Sequence, residues 1–228
     1  MIEETAALLF DFNGVIVDDE EQHRAAFQEV LAAHGISLTR EQYYADYLGW
    51  DDRACFVNAF RRAGKALTAE DVDALVADKS RRYRRLLDAS LVLVPGVVGF
   101  VERAAREFRL GLVSGALRPE IELVLDRTDL RRHFDVLIAA EDVAACKPDP
   151  AGYLAARASL DRRAPLAPTQ CVVIEDSLPG LAAARAAGMR CLMLSTSHAP
   201  TLLGDADAVW PSFHGHEPAD LRGLGTRR

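Results

Sequence analysis

A small set of polar residues stands where short apolar runs end. Asp11 and Asn13 follow Leu8-Leu9-Phe10 in the stretch LLFDFNGVIVDDE. Ser114-Gly115 follows a run ending at Val113, Lys147 lies in Cys146-Lys147-Pro148-Asp149-Pro150, and Glu175-Asp176-Ser177 follows a run ending at Ile174. Grouped carboxylates suit a hard cation such as Mg2+, which takes oxygen ligands. A bound Mg2+ draws phosphate oxygens; Ser114 can donate a hydrogen bond to one, and Lys147 can neutralise another as a point charge. In such a site Asp11 can attack phosphorus and form an aspartyl-phosphate, because lysine and metal let two anions approach each other. Asn13 is the discordant member. It stands two residues after Asp11, where a second carboxylate would complete an acid/base pair.

Each of these residues has a plain structural role when taken singly. Ser114-Gly115 makes a turn, Lys147 a solvated lysine, Asp176 or Ser177 a helix cap, and Asp11 a turn residue. Their convergence depends on the elements that carry them. Residues 8–12, 110–113, 136–139 and 171–174 lack polar alternation and read as buried parallel strands, with 191–194 as a fifth. Helical stretches alternate with them at 96–107, 119–126, 150–158 and 178–187, the last stopping at Gly188. This alternation predicts an α/β fold, a doubly wound, mostly parallel, Rossmann-like sheet. Ligands in such sheets sit at the carboxyl ends of the strands, which is where every residue named above falls.

One connection breaks the alternation. Residues 18–91 show no strand pattern, only amphipathic helices at 20–33, 51–63 and 69–87. An ordinary βα connection has about 2–6 residues, so this stretch reads as an inserted all-helical domain. The expected division is a core of 1–17 and 92–228 and an insert of 18–91, with Val94-Pro95-Gly96 marking the return.

Composition narrows the function classes. The chain has 228 residues, of which 50% are hydrophobic and 27% charged, with a net charge of -7. That balance supports a packed core and disfavours a nucleic-acid partner, which would need a basic face. Arg81-Arg82-Tyr83-Arg84-Arg85 reads as the solvated side of a helix. The four cysteines are scattered, with no metal-ligand spacing, and read as buried thiols of a reducing compartment. No leader and no membrane-spanning run is apparent. The expectation is a cytoplasmic monomer or weak dimer that does not engage membranes.

The ordered pieces Asp11-Phe12-Asn13-Gly14-Val15-Ile16-Val17-Asp18, Val113-Ser114-Gly115, Lys147-Pro148 and Ile174-Glu175-Asp176-Ser177 with Gly180 resemble the haloacid dehalogenase superfamily. Within it the chain is similar to the beta-phosphoglucomutase and phosphoglycolate phosphatase group. The resemblance covers the whole chain and likens the helical insert to the family's cap. It implies Asp11 as nucleophile, Ser114 and Lys147 as phosphate ligands with Gly115 beside them, and Asp176 as a Mg2+ ligand. Glu175 would support the metal from nearby, and the Asn13 backbone carbonyl would be a further ligand. The family's phosphatases usually carry Asp where this chain has Asn13. That Asp protonates the leaving oxygen and then deprotonates the attacking water, a contribution of about 10²–10⁴ in rate. The expected activity is therefore a Mg2+-dependent phosphatase of small phosphorylated metabolites, attenuated by Asn13. A sugar-phosphate mutase and a non-catalytic phosphometabolite-binding protein are the alternatives.

Two polar residues interrupt apolar stripes in the insert. Lys79 follows Leu75 by four and precedes Tyr83 by four; His23 precedes Phe27 by four. Each has a plain reading as a snorkelling stem or a satisfied core histidine. Both positions nevertheless match polar active-site positions of phosphoglucomutase-like caps, and the lysine is expected to face the substrate. Leu48-Gly49-Trp50-Asp51-Asp52-Arg53 resembles the cap's substrate-specificity loop, which implies Gly49 and Arg53 as substrate-binding residues.

Overall fold

The computed structural model describes residues 4–48, 50–162 and 164–224. The first apolar run forms β1 (Ala7–Phe10), all of it buried. A strand covered on both faces has no polar alternation to show. Four helices follow: α1 (Glu20–Ala33), α2 (Arg40–Asp46), α3 (Asp52–Arg62) and α4 (Ala69–Ala89). The chain then runs through α5 (Val97–Ala104), β2 (Arg109–Val113), α6 (Arg118–Arg127), β3 (Val136–Ile138), α7 (Ala151–Asp161), β4 (Cys171–Glu175), α8 (Leu178–Ala186), β5 (Arg190–Leu194) and β6 (Ala208–Trp210).

The strands form one 6-stranded sheet in the order β3-β2-β1-β4-β5-β6, and every paired neighbour runs parallel. Successive connections move outward from β1 in both directions, so the switch point of this doubly wound sheet lies between β1 and β4. Open α/β sheets hold ligands at that place. The register decides what collects there. Phe10 lies opposite Leu112 on one side and Ile174 on the other. The residues that follow, Asp11, Val113-Ser114 and Glu175-Asp176, therefore leave the sheet along one edge.

Alternate strand residues serve opposite faces. Leu9 joins Val113, Tyr153, Ala156, Val173 and Met193 on one. On the other, Phe10 meets Phe134 edge-on at 5.7 Å, while Phe100 packs on Phe213 at 4.6 Å. Leu8, Leu9 and Phe10 have 0% exposure, and each such burial contributes about 1.5–3 kcal/mol. That anchors the backbone from which Asp11 projects.

The chain divides into two compact units, Met1–Asp18 with Val92–Arg228, and Asp19–Leu91. The second holds α1 to α4 and no strand among its described residues. Within it α1, whose Ala26, Phe27, Val30 and Leu31 are buried, packs on α4, and α3 also packs on α4. No helix among the described residues is long and apolar enough to cross a membrane.

Two of these α-helices and strands had no counterpart in the sequence reading. The first, α2, opens on a capping box: Thr39 Oγ1 accepts from Gln42 N–H at 3.2 Å, and Gln42 Oε1 accepts from Thr39 N–H at 2.9 Å. Its Thr-x-x-Gln signature was legible. The second, β6, spans three residues, too few for periodicity to register.

Candidate active site

Asp11 ends the buried run of β1 and is itself only 7% exposed. Its N–H continues the sheet ladder to Ile174 O at 2.9 Å. The chain then winds around one carbonyl: Phe12 O accepts from the N–H groups of Val15, Ile16 and Val17 at 3.3, 2.7 and 3.2 Å. Gly14 N–H closes the turn on Val17 O at 2.7 Å. This tight loop fixes Asn13, which is half-buried and pairs through its backbone with Val17.

Lys147 reaches the same edge from the segment before α7. Its Nζ stands 2.6 Å from Asp11 Oδ1, 2.6 Å from Glu175 Oε1 and 3.3 Å from Val113 O. Burial, reinforced by the charge of Glu175, pushes the Asp11 carboxyl up to about 7 against the pull of Lys147. Glu175 goes the other way. Burial alone would raise it, but the Lys147 ammonium and the hydrogen bonds of Lys147, Ser177 and Tyr153 hold it below the usual range. Burial opposes the charged form of Lys147 too, yet the two carboxylates keep it raised.

Glu175 has no capacity left. Its Oε1 accepts from Lys147 at 2.6 Å and from the Tyr153 hydroxyl at 2.8 Å. Its Oε2 accepts from Asp176 N–H at 3.0 Å, Ser177 N–H at 3.0 Å and Ser177 Oγ at 2.9 Å. A carboxylate offers about four lone-pair sites, so Glu175 supports the site by holding Lys147 and the Asp176 backbone.

Asp11, Glu175 and Asp176 each bring an oxygen within 4.8 Å of the others, and all three are buried. Lys147 pairs with Asp11 and Glu175, so one ammonium stands against three carboxylates among the described residues, and the Asp11 carboxyl is raised first by burial and then by the charge of Glu175. Buried oxygen donors with uncompensated charge fit a hard divalent cation.

Ser114 and Gly115 follow β2. Ser114 is 5% exposed, and its Oγ accepts from Ala116 N–H at 2.9 Å. Its oxygen is thereby used as an acceptor while the hydroxyl proton remains to donate. Nothing stands within 4 Å of where a Cβ on Gly115 would be. Ser114, Gly115 and Lys147 line one small pocket with Cys146, Asp149 and Tyr153.

The helical unit has its own polar cluster. Lys79, with 0% exposure, places Nζ 2.6 Å from His23 Nδ1 and 3.0 Å from Asp52 Oδ1. It also lies over the rings of Phe27 and Tyr83. His23 Nε2 stands 3.4 Å from Asp19 Oδ2, which also accepts from the Tyr83 hydroxyl. Burial and Lys79 lower the His23 pKa, but Asp19 and Asp52 outweigh them and raise it. The lysine in the apolar stripe thus has partners inside its own unit. Arg53 is not in this cluster; it is half-exposed and pairs with Asp73. Gly49 lies outside the described residues.

Sequence reasoning missed Tyr153, Thr196 and Ser197. Tyr153 looks like a core aromatic, and its hydroxyl partner is 22 residues away. Thr196 and Ser197 follow β5 and reach Gly14 and Asp176. Their one signal was a position at the carboxyl end of a strand.

Residues 5–188 match the family model described as haloacid dehalogenase-like hydrolase. The chain belongs to that family of enzymes. The crystal structure of CbbY from Rhodobacter sphaeroides in complex with phosphate is similar at a TM-score of 0.84 and 30% identity, covering 97% of this chain and 99% of that one. The fructose-1-phosphate phosphatase of Escherichia coli is 33% identical over 83% of this chain and 96% of its own length. A beta-phosphoglucomutase from Clostridium difficile matches at a TM-score of 0.80 and 22% identity over 91% of each chain, a likeness of fold.

Proposed function

We propose that this hydrolase is a Mg2+-dependent phosphatase of small phosphorylated metabolites, working through an aspartyl-phosphate on Asp11. The observation that carries the proposal is the Lys147 ammonium held 2.6 Å from Asp11 Oδ1. A buried carboxylate with a cation at its side is equipped to meet an anionic phosphoryl group.

An Asp11 oxygen attacks phosphorus, and the bond from phosphorus to the substrate oxygen breaks. Lys147 balances charge on the transferred group, and the Ser114 hydroxyl donates to one of its oxygens. Water then attacks the aspartyl-phosphate, the bond from phosphorus to Asp11 breaks, and inorganic phosphate leaves with the carboxylate restored. Asn13 can hydrogen-bond but cannot carry the proton in either step, so departing alkoxides must draw theirs from solvent. A Mg2+ ion held by Asp11, Asp176 and the Asn13 carbonyl would supply further positive charge toward the phosphate. The phosphate-bound and sugar-phosphatase relatives support a sugar-phosphate substrate class. His23, Lys79, Gly49 and Arg53 remain the residues of the helical unit proposed to select the substrate.

The test is a screen of phosphate release over small phosphoesters and acyl phosphates, with and without Mg2+, run beside Asp11→Asn. Release that requires Mg2+ and vanishes in a folded Asp11→Asn protein is expected. Release that survives in Asp11→Asn sinks the proposal. Asn13 favours a second reading, a phosphometabolite-binding protein without turnover. Tight binding in the same panel, with no release and no phosphoryl-enzyme, would select it.

A further inference from the structure

The loop after β5 brings two adjacent hydroxyls to the acidic cluster. Ser195 N–H donates to Trp210 O at 2.9 Å, which seats the loop beside β6. Ser197 Oγ then donates to Asp176 Oδ2. Thr196 Oγ1 donates to the Gly14 carbonyl at 2.7 Å and stands 3.5 Å from Asp176 Oδ2. The two side chains tie the turn that carries Asn13 to the carboxylate of Asp176.

Gly14 closes the remaining side. Its φ is +70°, and a Cβ there would come 1.9 Å from Asp176 Oδ2. Asp176 is thus pinned between a backbone that permits no side chain and a hydroxyl that fixes one of its oxygens. Fixing one oxygen of a carboxylate fixes its plane, and with it the direction of the other. Outer partners of this kind typically change metal affinity by about 10–100-fold.

We propose that Thr196 and Ser197 are positioning residues that pre-set the cation site and favour Mg2+ over Ca2+. The inference rests on the cation reading of the acidic cluster. Mg2+ demands near-ideal geometry at about 2.0–2.1 Å, whereas Ca2+ accepts looser cages at about 2.3–2.6 Å. Ligand segments tied to one another resist the expansion that the larger ion needs. Freeing Asp176 weakens the hold on Mg2+ and relieves the penalty on Ca2+.

The experiment is calorimetric titration of chelator-treated protein with Mg2+ and, separately, Ca2+. The unaltered protein is compared with Ser197→Ala, Ser197→Thr and Thr196→Val. Ser197→Ala should raise the Mg2+ Kd by about 10–100-fold and the Ca2+ Kd by less, so the selectivity ratio falls. Ser197→Thr keeps the hydroxyl and should stay within a few-fold of the unaltered protein. Thr196 is exposed, so Thr196→Val provides a folded second variant with the same direction of change. Hydroxyls that only staple the loop would lower the melting temperature in chelator and leave the ratio alone; that result overturns the inference. Unaltered protein that binds no divalent cation overturns the inference and the cation reading together. Binding that is equal in every variant overturns the inference alone.

Discussion

Lys147 is clamped to Asp11 at 2.6 Å, and the same ammonium holds Glu175 on its other side. Its task is therefore double: it partly offsets the charge of a buried carboxylate pair in the resting protein and stands ready beside the proposed nucleophile.

Replacing Lys147 with Met separates these tasks. Asp11 and Glu175 would then face each other uncompensated, and breaking a buried ion pair costs about 3–5 kcal/mol. Urea unfolding in chelator should show a loss of that order, and Mg2+ should restore part of it by binding the folded state. Phosphate release should fall by about 10²–10³, the usual effect of removing one charge-stabilising donor. Normal turnover by the folded Lys147→Met protein would remove Lys147 from the chemistry.

The pH dependence has a defined sign. Burial and Glu175 place the Asp11 carboxyl at about 7, and only the ionised form attacks. With limiting Mg2+, kcat/KM should rise with pH through that region. A nearby cation favours the carboxylate, so saturating Mg2+ should move the acid limb to lower pH. Profiles at two Mg2+ concentrations measure this. An acid limb that ignores Mg2+ would place the ion away from Asp11.

Tyr153→Phe tests the support beneath Glu175. The ring is 1% exposed and its packing is kept; the loss is one hydroxyl donor at 2.8 Å from Oε1. Hydrogen bonds to charged groups contribute about 1.5–3 kcal/mol, so stability at neutral pH should drop by that amount. Glu175 lies below its ordinary pKa, so its contribution is present above the unfolded value and lost as pH falls through the folded one. The difference between the two proteins should shrink in acid. A constant difference from neutral to acid pH would assign the loss to packing instead.

The fold and the core of the site were legible for one physical reason. Central parallel strands are buried on both faces, so they appear as unbroken apolar runs, and their ends mark the ligand edge. Asp11, Ser114, Lys147 and Asp176 could be named from that alone. Lys79 and His23 were each legible as a polar residue in an apolar stripe, although their pairing with each other and the pairing of Lys79 with Asp52 were not. The hydroxyls of Tyr153, Thr196 and Ser197 left no such mark. Their partners are distant in the chain, and a Ser-Thr-Ser loop resembles any turn until the register of β4 and β5 brings it beside Asp176. Arg53 was named through the likeness of its loop to a substrate-specificity loop, and its pairing with Asp73 on the next helix could not be read from the sequence.

Asn13→Asp tests the discordant residue directly. The change is nearly isosteric at a half-buried position, so the fold should hold. A sugar hydroxyl is a poor leaving group and needs a proton as its bond breaks; an acyl or aryl oxygen leaves as an anion with little help. The protein as it stands should therefore be phosphorylated more readily by acyl and aryl phosphates than by sugar phosphates. Water attack on the aspartyl-phosphate lacks a base in the same protein, so the phosphoryl-enzyme should accumulate. Asn13→Asp should speed sugar-phosphate cleavage by up to about 10²–10⁴, phosphorylation by aryl phosphates by much less, and should remove the accumulated intermediate. Single-turnover kinetics on both substrate types, with acid-quench detection of phosphoryl-enzyme, measures all three. An Asn13→Asp protein no faster on any phosphoester would mean that proton transfer at this position does not limit the reaction, and the binding reading would gain. Sugar-phosphate cleavage already at ordinary rates with Asn13 in place would mean that another group carries the proton, and His23→Gln is the variant to examine next.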